Sequence, residues 1–387
     1  MNTALYGYIE GYYGAMLSWE ERVQVINALH AGSQNTYLYA PKEDPYHRSR
    51  WKEPYPRQWM ESFSTLAGYA AKKKVSLVPG IAPGLSYTYD SKRDYSLLLK
   101  KCRAFIHAGI STICLLMDDI PVKLPDLCKK KIASLGAAHG ALLTQLSTDI
   151  NKKGKRVDLW FCPSVYTDQF IKSDDESSVY LADLAAAMPP SILILWTGPR
   201  IVSPVISRSS LKTVTRLFGN NVCLWDNLYA NDYCPHKLFI GPYANRSANL
   251  HNAVSGILLN PTGMVNTDIF LLNLLADHMR GIPSRTAWEQ RIGSLTIAKE
   301  MRLLLPFFNL PYTALTDKQL GVANIQRYRK ALKKCIWDWK SPLHREWYAY
   351  LFMLDSDLAL MERSSDSAWI TKKYPPVLAS YLNRHNT

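Results

Sequence analysis

Short apolar runs recur along the first 280 or so residues, and each is followed by a stretch whose apolar positions repeat at helical spacing. Leu5–Glu10 opens the series as a short strand, with a Gly-rich turn at 11–14. Ser18 followed by Glu21 is a capping-box pattern, and Val23, Ile26 and Leu29 supply the apolar stripe of the helix it opens. Further strands are expected at 35–41, 75–84, 111–117, 157–166, 191–199, 221–228 and 256–263. Helices are expected at 58–74, 94–108, 124–153, 180–188, 211–218 and 268–280, with a loop and a helical piece across 236–254. About eight strand–helix units imply a parallel sheet, and their combined length is that of a (β/α)8 barrel. An open doubly wound sheet fits less well, because no GxGxxG follows the first strand and no P-loop occurs.

The period stops near Pro283. Helices are expected at 284–305, 317–339 and 342–363, with a break at 306–311 and a last segment at 372–386. The chain therefore divides into an α/β TIM barrel over 1–282 and an all-α region over 283–387. The second is rich in Trp and Tyr, which suits helix packing and offers a possible homodimer surface.

The run 111–117 ends in two adjacent carboxylates, Asp118 and Asp119, before Pro121 stops the strand. Two acids at the end of a buried strand repel each other and resist desolvation, so packing alone gives little reason for them. Other strands end in polar residues too: the second in Lys42, the fifth in Tyr166, the seventh in Trp225, Asp226 and Asn227 with Asp232 beyond, and the eighth in Asn260. Each has an ordinary reading as a turn, cap or solvated side chain. In a barrel, however, these C-terminal ends form one rim, which is where sites of this fold lie.

Composition narrows the chemistry. None of the nine His has metal-ligand spacing, so no metal and no cofactor is expected. The seven Cys include no CxxC, and several sit inside apolar runs, which points to reduced thiols and a cytoplasmic setting. The amino terminus has no basic and apolar leader pattern, and no run approaches a membrane span. A net charge of +14, with short clusters at 72–74, 129–131 and 333–334, predicts attraction to anionic partners. With 23 Tyr and 11 Trp, the chain has rings to stack on sugars. Amides, acids and aromatic walls fit carbohydrate binding, and a carboxyl pair fits glycoside cleavage. Sequence neighbours can rarely flank a sugar as the two carboxyls of an ordinary glycosidase do, but they can sit together on one side of it. One would then serve as acid/base, and the other would steady a nucleophile that the substrate itself supplies, such as a 2-acetamido group.

Eight segments recur in order: GYIEGYYG (7–14), NTYLYAPKEDPYHR (35–48), PGL (83–85), LLMDDI (115–120), FCPSVY (161–166), LWTGPRIVS (195–203), WDNLYANDY (225–233) and LNP (259–261). On these the chain resembles glycoside hydrolase family 84, the β-N-acetylglucosaminidases. It departs from the family pattern at Ser86, at Ala15-Met16-Leu17 and at Met117, none of them an expected sugar contact. The resemblance implies a TIM barrel and a retaining, substrate-assisted reaction on β-linked GlcNAc, O-GlcNAc proteins included. By resemblance, Asp118 orients the acetamido N–H and stabilises the oxazolinium, while Asp119 is general acid and then general base. Tyr166 bonds the acetamide oxygen, Trp225 walls the methyl and Asn227 supports that side. Lys42, Asp232, Asn260 and the carbonyl of Gly7 hold the sugar hydroxyls. Two other readings stand beside this one: a glycosidase acting on a hyaluronan-like, cell-wall or other anionic GlcNAc conjugate, and a non-catalytic glycan- or nucleic-acid-binding module on the same fold.

Overall fold

A computed structural model describes residues 4–122, 132–152, 154, 156–316 and 318–363. Eight strands, β1 (Leu5–Glu10), β2 (Thr36–Tyr39), β3 (Ser76–Ile81), β4 (Thr112–Leu116), β5 (Asp158–Cys162), β6 (Leu193–Trp196), β7 (Val222–Asp226) and β8 (Gly256–Leu259), pair in sequence order. All pairs are parallel, and β8 returns to β1 to close the barrel. Strands buried on both faces read as continuous apolar runs, which is why they were visible in the sequence. Between them lie α1 (Trp19–Ala31), α2 (Arg57–Lys72), α3 (Lys92–His107), α4 (Leu135–Ile150), α5 (Asp168–Ser173), α6 (Asp175–Ala187) and α7 (Lys212–Phe218). The capping box is present in full: Glu21 N–H donates to Ser18 Oγ at 3.2 Å, and Ser18 N–H to Glu21 Oε2 at 2.7 Å.

Inward-facing side chains fill the barrel: Ile9, Leu38, Ala40, Val78, Cys114, Leu116, Trp160, Cys162, Leu195, Cys223, Trp225 and Leu258. Three of these are cysteines, small buried hydrophobes as expected, and the six described cysteines are all buried free thiols.

By density of internal contact the chain forms two units. The first holds all eight strands, running through Asn227 and then from Asn245 to Gly263; the second takes Leu228–Ala244 and the chain from Met264 onward. The expected boundary at 282 differs from this division, which groups α8 (Val265–Met279) with the helices after it. These are α9 (Ser284–Gly293), α10 (Ala298–Phe308), α11 (Val322–Lys333) and α12 (Pro342–Arg363). Met264 gives α8 no side-chain cap, and α12 supplies one: Glu346 accepts the N–H groups of Asn266 and Thr267 at 2.9 and 2.7 Å.

Several expected boundaries shift. The helix expected over 284–305 is two, parted after Gly293, a poor helix former. Pro306 lies inside α10 instead of ending it. The helix expected from 317 starts at Val322 and ends in a π-helical turn, Lys334–Asp338. The helical piece in 236–254 reduces to one short turn, Leu250–Asn252. The basic cluster at 129–131 and the segment at 372–386 lie outside the described residues. No described helix is long and apolar enough to cross a membrane. Trp337, Tyr348 and Phe352 are exposed aromatics of the second unit.

Candidate active site

Alternation along the strands places the site. Side chains on a strand point to opposite faces in turn, so residues two apart share a face. Extending the inward set by two residues past each strand end leads from Ile9 to Gly11, from Ala40 to Lys42, from Leu116 to Asp118, from Trp225 to Asn227 and from Leu258 to Asn260. The same rule would turn Asp119 away from Asp118. It does not, because Asp119 has a left-handed φ of 57°. That conformation is uncommon for a non-glycine residue, though aspartate tolerates it better than most. The chain turns sharply there, and both acids reach one lysine.

Lys42 is the hub. Its Nζ forms a short ion pair with Asp118 Oδ2 and lies 3.9 Å from Asp119 Oδ2. Burial alone would push the ammonium pKa down, but Asp118 and Asp119 outweigh it, and Lys42 ends above the usual lysine value. The Lys42 and Asp118 side chains are 3% and 9% exposed, against 32% for Asp119. Asp119 is thus the acid that an incoming molecule can reach. Its two oxygens accept from Tyr13 Oη at 2.6 Å and Tyr166 Oη at 3.0 Å. Burial, with the nearby acids adding to it, raises the Tyr166 phenol well above its ordinary value. Burial likewise takes Tyr13 up to about 12 despite the lowering pull of Lys42. Both are therefore neutral donors near pH 7. Arg48 Nη1 donates to Tyr13 Oη at 3.1 Å. Asp118 Oδ1 is buried and has no hydrogen-bond partner among the described residues. A buried lone acceptor of this kind is costly, and it marks where a donor from outside belongs.

The amides on the other side are bonded to one another. Asn227 Oδ1 accepts from Trp225 Nε1 and from Asn260 Nδ2, both at 2.9 Å. Its own Nδ2 donates to Ile201 O at 2.9 Å, and Gly11 N–H donates to Asn260 Oδ1 at 3.2 Å. A Cβ on Gly11 would fall 2.4 Å from the Trp225 ring, so only glycine lets the backbone pass there. Next to this lattice Asp226 is held by Arg246 through two bonds of 2.8 and 2.6 Å, entirely out of solvent.

The first unit therefore brings together Asp118, Asp119, Lys42, Tyr166, Trp225, Asn227 and Asn260. Gly7 does not join them. It pairs with Thr36 and Leu258 inside β1, and a Cβ there would meet Thr36 O at 1.8 Å, so strand packing accounts for this glycine. The glycine of that motif at the rim is Gly11, four residues on. Asp232 belongs to the second unit, where its Oδ1 accepts the N–H of Tyr233 at 2.9 Å. Sequence reasoning missed Tyr13 and Gly11 as site residues. Both lie in GYIEGYYG and follow Ile9 at two-residue steps, so the register of β1, once known, finds them.

Comparison with known proteins adds a family. The sequence model of beta-N-acetylglucosaminidases matches residues 6–308. The protein O-GlcNAcases of Mus musculus and Rattus norvegicus are each 32% identical over 272 residues, covering 70% of this chain. The chain spans only 29% of the length of those relatives. Among solved structures, a mutant O-GlcNAc hydrolase of Thermobaculum terrenum superposes with a TM-score of 0.82 at 23% identity, over 99% of this chain and 89% of that one. CpGH84B superposes with a TM-score of 0.75, also at 23% identity, over 93% and 67%. At that identity the two superpositions bear on the fold alone.

Proposed function

We propose, from the premise that this chain belongs to the beta-N-acetylglucosaminidase family, that it hydrolyses terminal β-linked N-acetylglucosamine with the substrate's own acetamido group as nucleophile. One observation carries the reading: two adjacent acids share a buried lysine, and the deeper one has a desolvated oxygen without a partner among the described residues. Ordinary retaining enzymes need carboxyls about 5–5.5 Å apart on either side of the scissile bond. Acids on one tight turn suit a different division of labour.

In this reading Asp118 Oδ1 accepts the acetamido N–H, with Lys42 holding its other oxygen. The acetamide carbonyl oxygen attacks C1 and closes an oxazolinium ring, whose N–H stays bonded to Asp118 Oδ1. The glycosidic oxygen leaves with the proton that protonated Asp119 delivers. Water then attacks C1, gives its proton to Asp119, and the ring reopens to the acetamide with configuration retained. Tyr166, the donor to Asp119, lies on the side of the acetamide oxygen. Trp225 walls the methyl and is braced by Asn227, while Asn260, tied to Gly11, faces the sugar hydroxyls. Lys42 also keeps the carboxylate charge of Asp118 stable during oxazolinium formation.

Proteins bearing O-linked GlcNAc are the substrate class we favour, as in the names of the mouse and rat relatives. A cytoplasmic setting goes with that class and with the described free thiols. The test is release of a chromophore from a β-GlcNAc glycoside by wild type and by Asp119→Ala. No turnover by folded wild type sinks the proposal. Inhibition by a thiazoline mimic of the oxazoline tests the substrate-assisted step separately.

A further inference from the structure

A hydrogen-bonded line of side chains runs behind the acid pair, and the mechanism above does not use it. His139 on α4 is wholly buried. Its Nε2 lies 2.7 Å from Tyr89 Oη and its Nδ1 2.7 Å from Tyr180 Oη. Tyr180 Oη accepts Ser164 N–H at 3.1 Å. Ser164 Oγ donates to Met117 O at 2.8 Å. That carbonyl belongs to the peptide joining Met117 to Asp118. The Met117 N–H donates to Cys162 O at 2.8 Å, so the end of β5 and Ser164 just past it hold Met117, the residue before the acids, through both its N–H and its carbonyl.

The fold is shaped to make this line. Gly136 and Gly140 flank His139 on α4, and a Cβ would fall 2.1 Å from Tyr180 O at the first and 2.4 Å from Ala187 at the second. The two glycines let α6 close onto α4, which puts Tyr180 against the imidazole. Burial drives the His139 pKa down to about 3, so the ring is neutral, one nitrogen donating and one accepting. Among the described residues no carboxylate is hydrogen-bonded to it, as one would be at an ordinary buried ion pair. It is enclosed by hydroxyls and by the rings of Tyr89, Phe161 and Tyr180.

A reason for such a tether exists next door. Asp119 is in the left-handed region, and small rotations of the preceding peptide would swing both acids off Lys42. We propose that His139 is a positioning residue for the reaction: through Tyr180 and Ser164 it fixes the Met117–Asp118 peptide, and with it the aim of both acids. The inference rests on the glycosidase reading, and its test separates the two.

The variants are His139→Phe, Tyr180→Phe, Ser164→Ala and His139→Asn, compared with wild type on a chromogenic β-GlcNAc glycoside. Active sites are counted by titration with a thiazoline inhibitor, so that unfolded protein does not enter kcat. The first three are expected to lose roughly 10- to 100-fold in kcat per titrated site, the scale of a small misplacement, with KM moving less than about threefold. His139→Asn presents an amide atom where Nδ1 stood, and it should recover most of the loss whichever way the proton lies. Full kcat in His139→Phe and Tyr180→Phe overturns the proposal, and so does His139→Asn as slow as His139→Phe. If wild type itself turns over nothing, the glycosidase reading fails, and amide hydrogen exchange then judges the tether. Exchange at Met117–Asp119 should rise at least tenfold in His139→Phe while the rest of β4 is unchanged; exchange equal to wild type overturns it.

Discussion

Glu10 and Asp118 are both carboxylates at or just past the ends of barrel strands, and each is paired with a buried cation. Every lone pair of Glu10 is used. Its Oε1 accepts from Arg22 Nη2 and Leu17 N–H at 2.9 and 3.0 Å, and its Oε2 from Arg22 Nε and Tyr37 Oη at 2.9 and 2.7 Å. Arg22 in turn stacks on Trp19 and Tyr39. Around Lys42, by contrast, one Asp118 oxygen has no partner among the described residues and Asp119 is a third exposed. Two clusters of like composition thus do different work. A saturated one clamps the loop after β1, while an unsaturated one leaves room for a donor and a proton acceptor from outside. Completeness of bonding separates the two buried acids, Glu10 and Asp118, and exposure sets Asp119 apart from both.

Breaking each cluster should separate the two roles. Asp119→Ala is expected to lower kcat by about 10²–10⁴-fold, the usual weight of a general acid–base group. Its unfolding midpoint in urea should stay near wild type; a protein that unfolds instead would place Asp119 among the structural acids. Arg22→Met should do the reverse, costing about 3–5 kcal/mol of stability by stranding a buried Glu10. Activity per folded molecule should survive it, and loss of kcat in the folded fraction would erase the contrast. Asn227→Ala removes one acceptor shared by Trp225 and Asn260, leaving two buried donors unpaired. About 1–3 kcal/mol is expected, read mainly as a higher KM for GlcNAc glycosides; an unchanged KM would detach this lattice from the site.

The smallest effect concerns Asp168, near Tyr166, whose pKa burial raises to about 6. The folded state then holds its proton more tightly than the unfolded chain does. Stability from this group is full below pH 4 and lost as pH rises through about 6. Asp168→Asn should therefore match wild type in acid and exceed it by about 1 kcal/mol above pH 7, after allowance for solvent screening. Thermal melts at pH 4 and pH 7.5 check this, and a gain at both values would point to another cause.

Much of this molecule could be read in advance where a local pattern has one physical meaning. Buried parallel strands must be continuously apolar, so all eight were visible, and Ser18 with Glu21 announced α1. Asp118 and Asp119 stood out because an acid pair at a buried strand end has no packing rationale. Boundaries were less legible: α4 ends at Ile150, three residues short of the expected end, its expected start at 124 lies outside the described residues, and α9 and α10 read as one helix in the sequence. Gly7 was misjudged for Gly11 because the motif holds glycines at both positions, and without strand register either could stand at the rim.

By itself the sequence determined the alternation of strands and helices, the closed count of eight, and which residue types gather past the strand ends. These follow from periodicity and burial, which are local properties of the chain. Tertiary structure alone decided that the left-handed turn at Asp119 swings two neighbours onto one lysine, that Tyr13 and Gly11 belong to the rim, and that His139 reaches Met117 through two other elements. Those depend on strand register, on one backbone angle and on how closely α4 and α6 approach. Such quantities are set by long-range packing, and no stretch of sequence carries them alone.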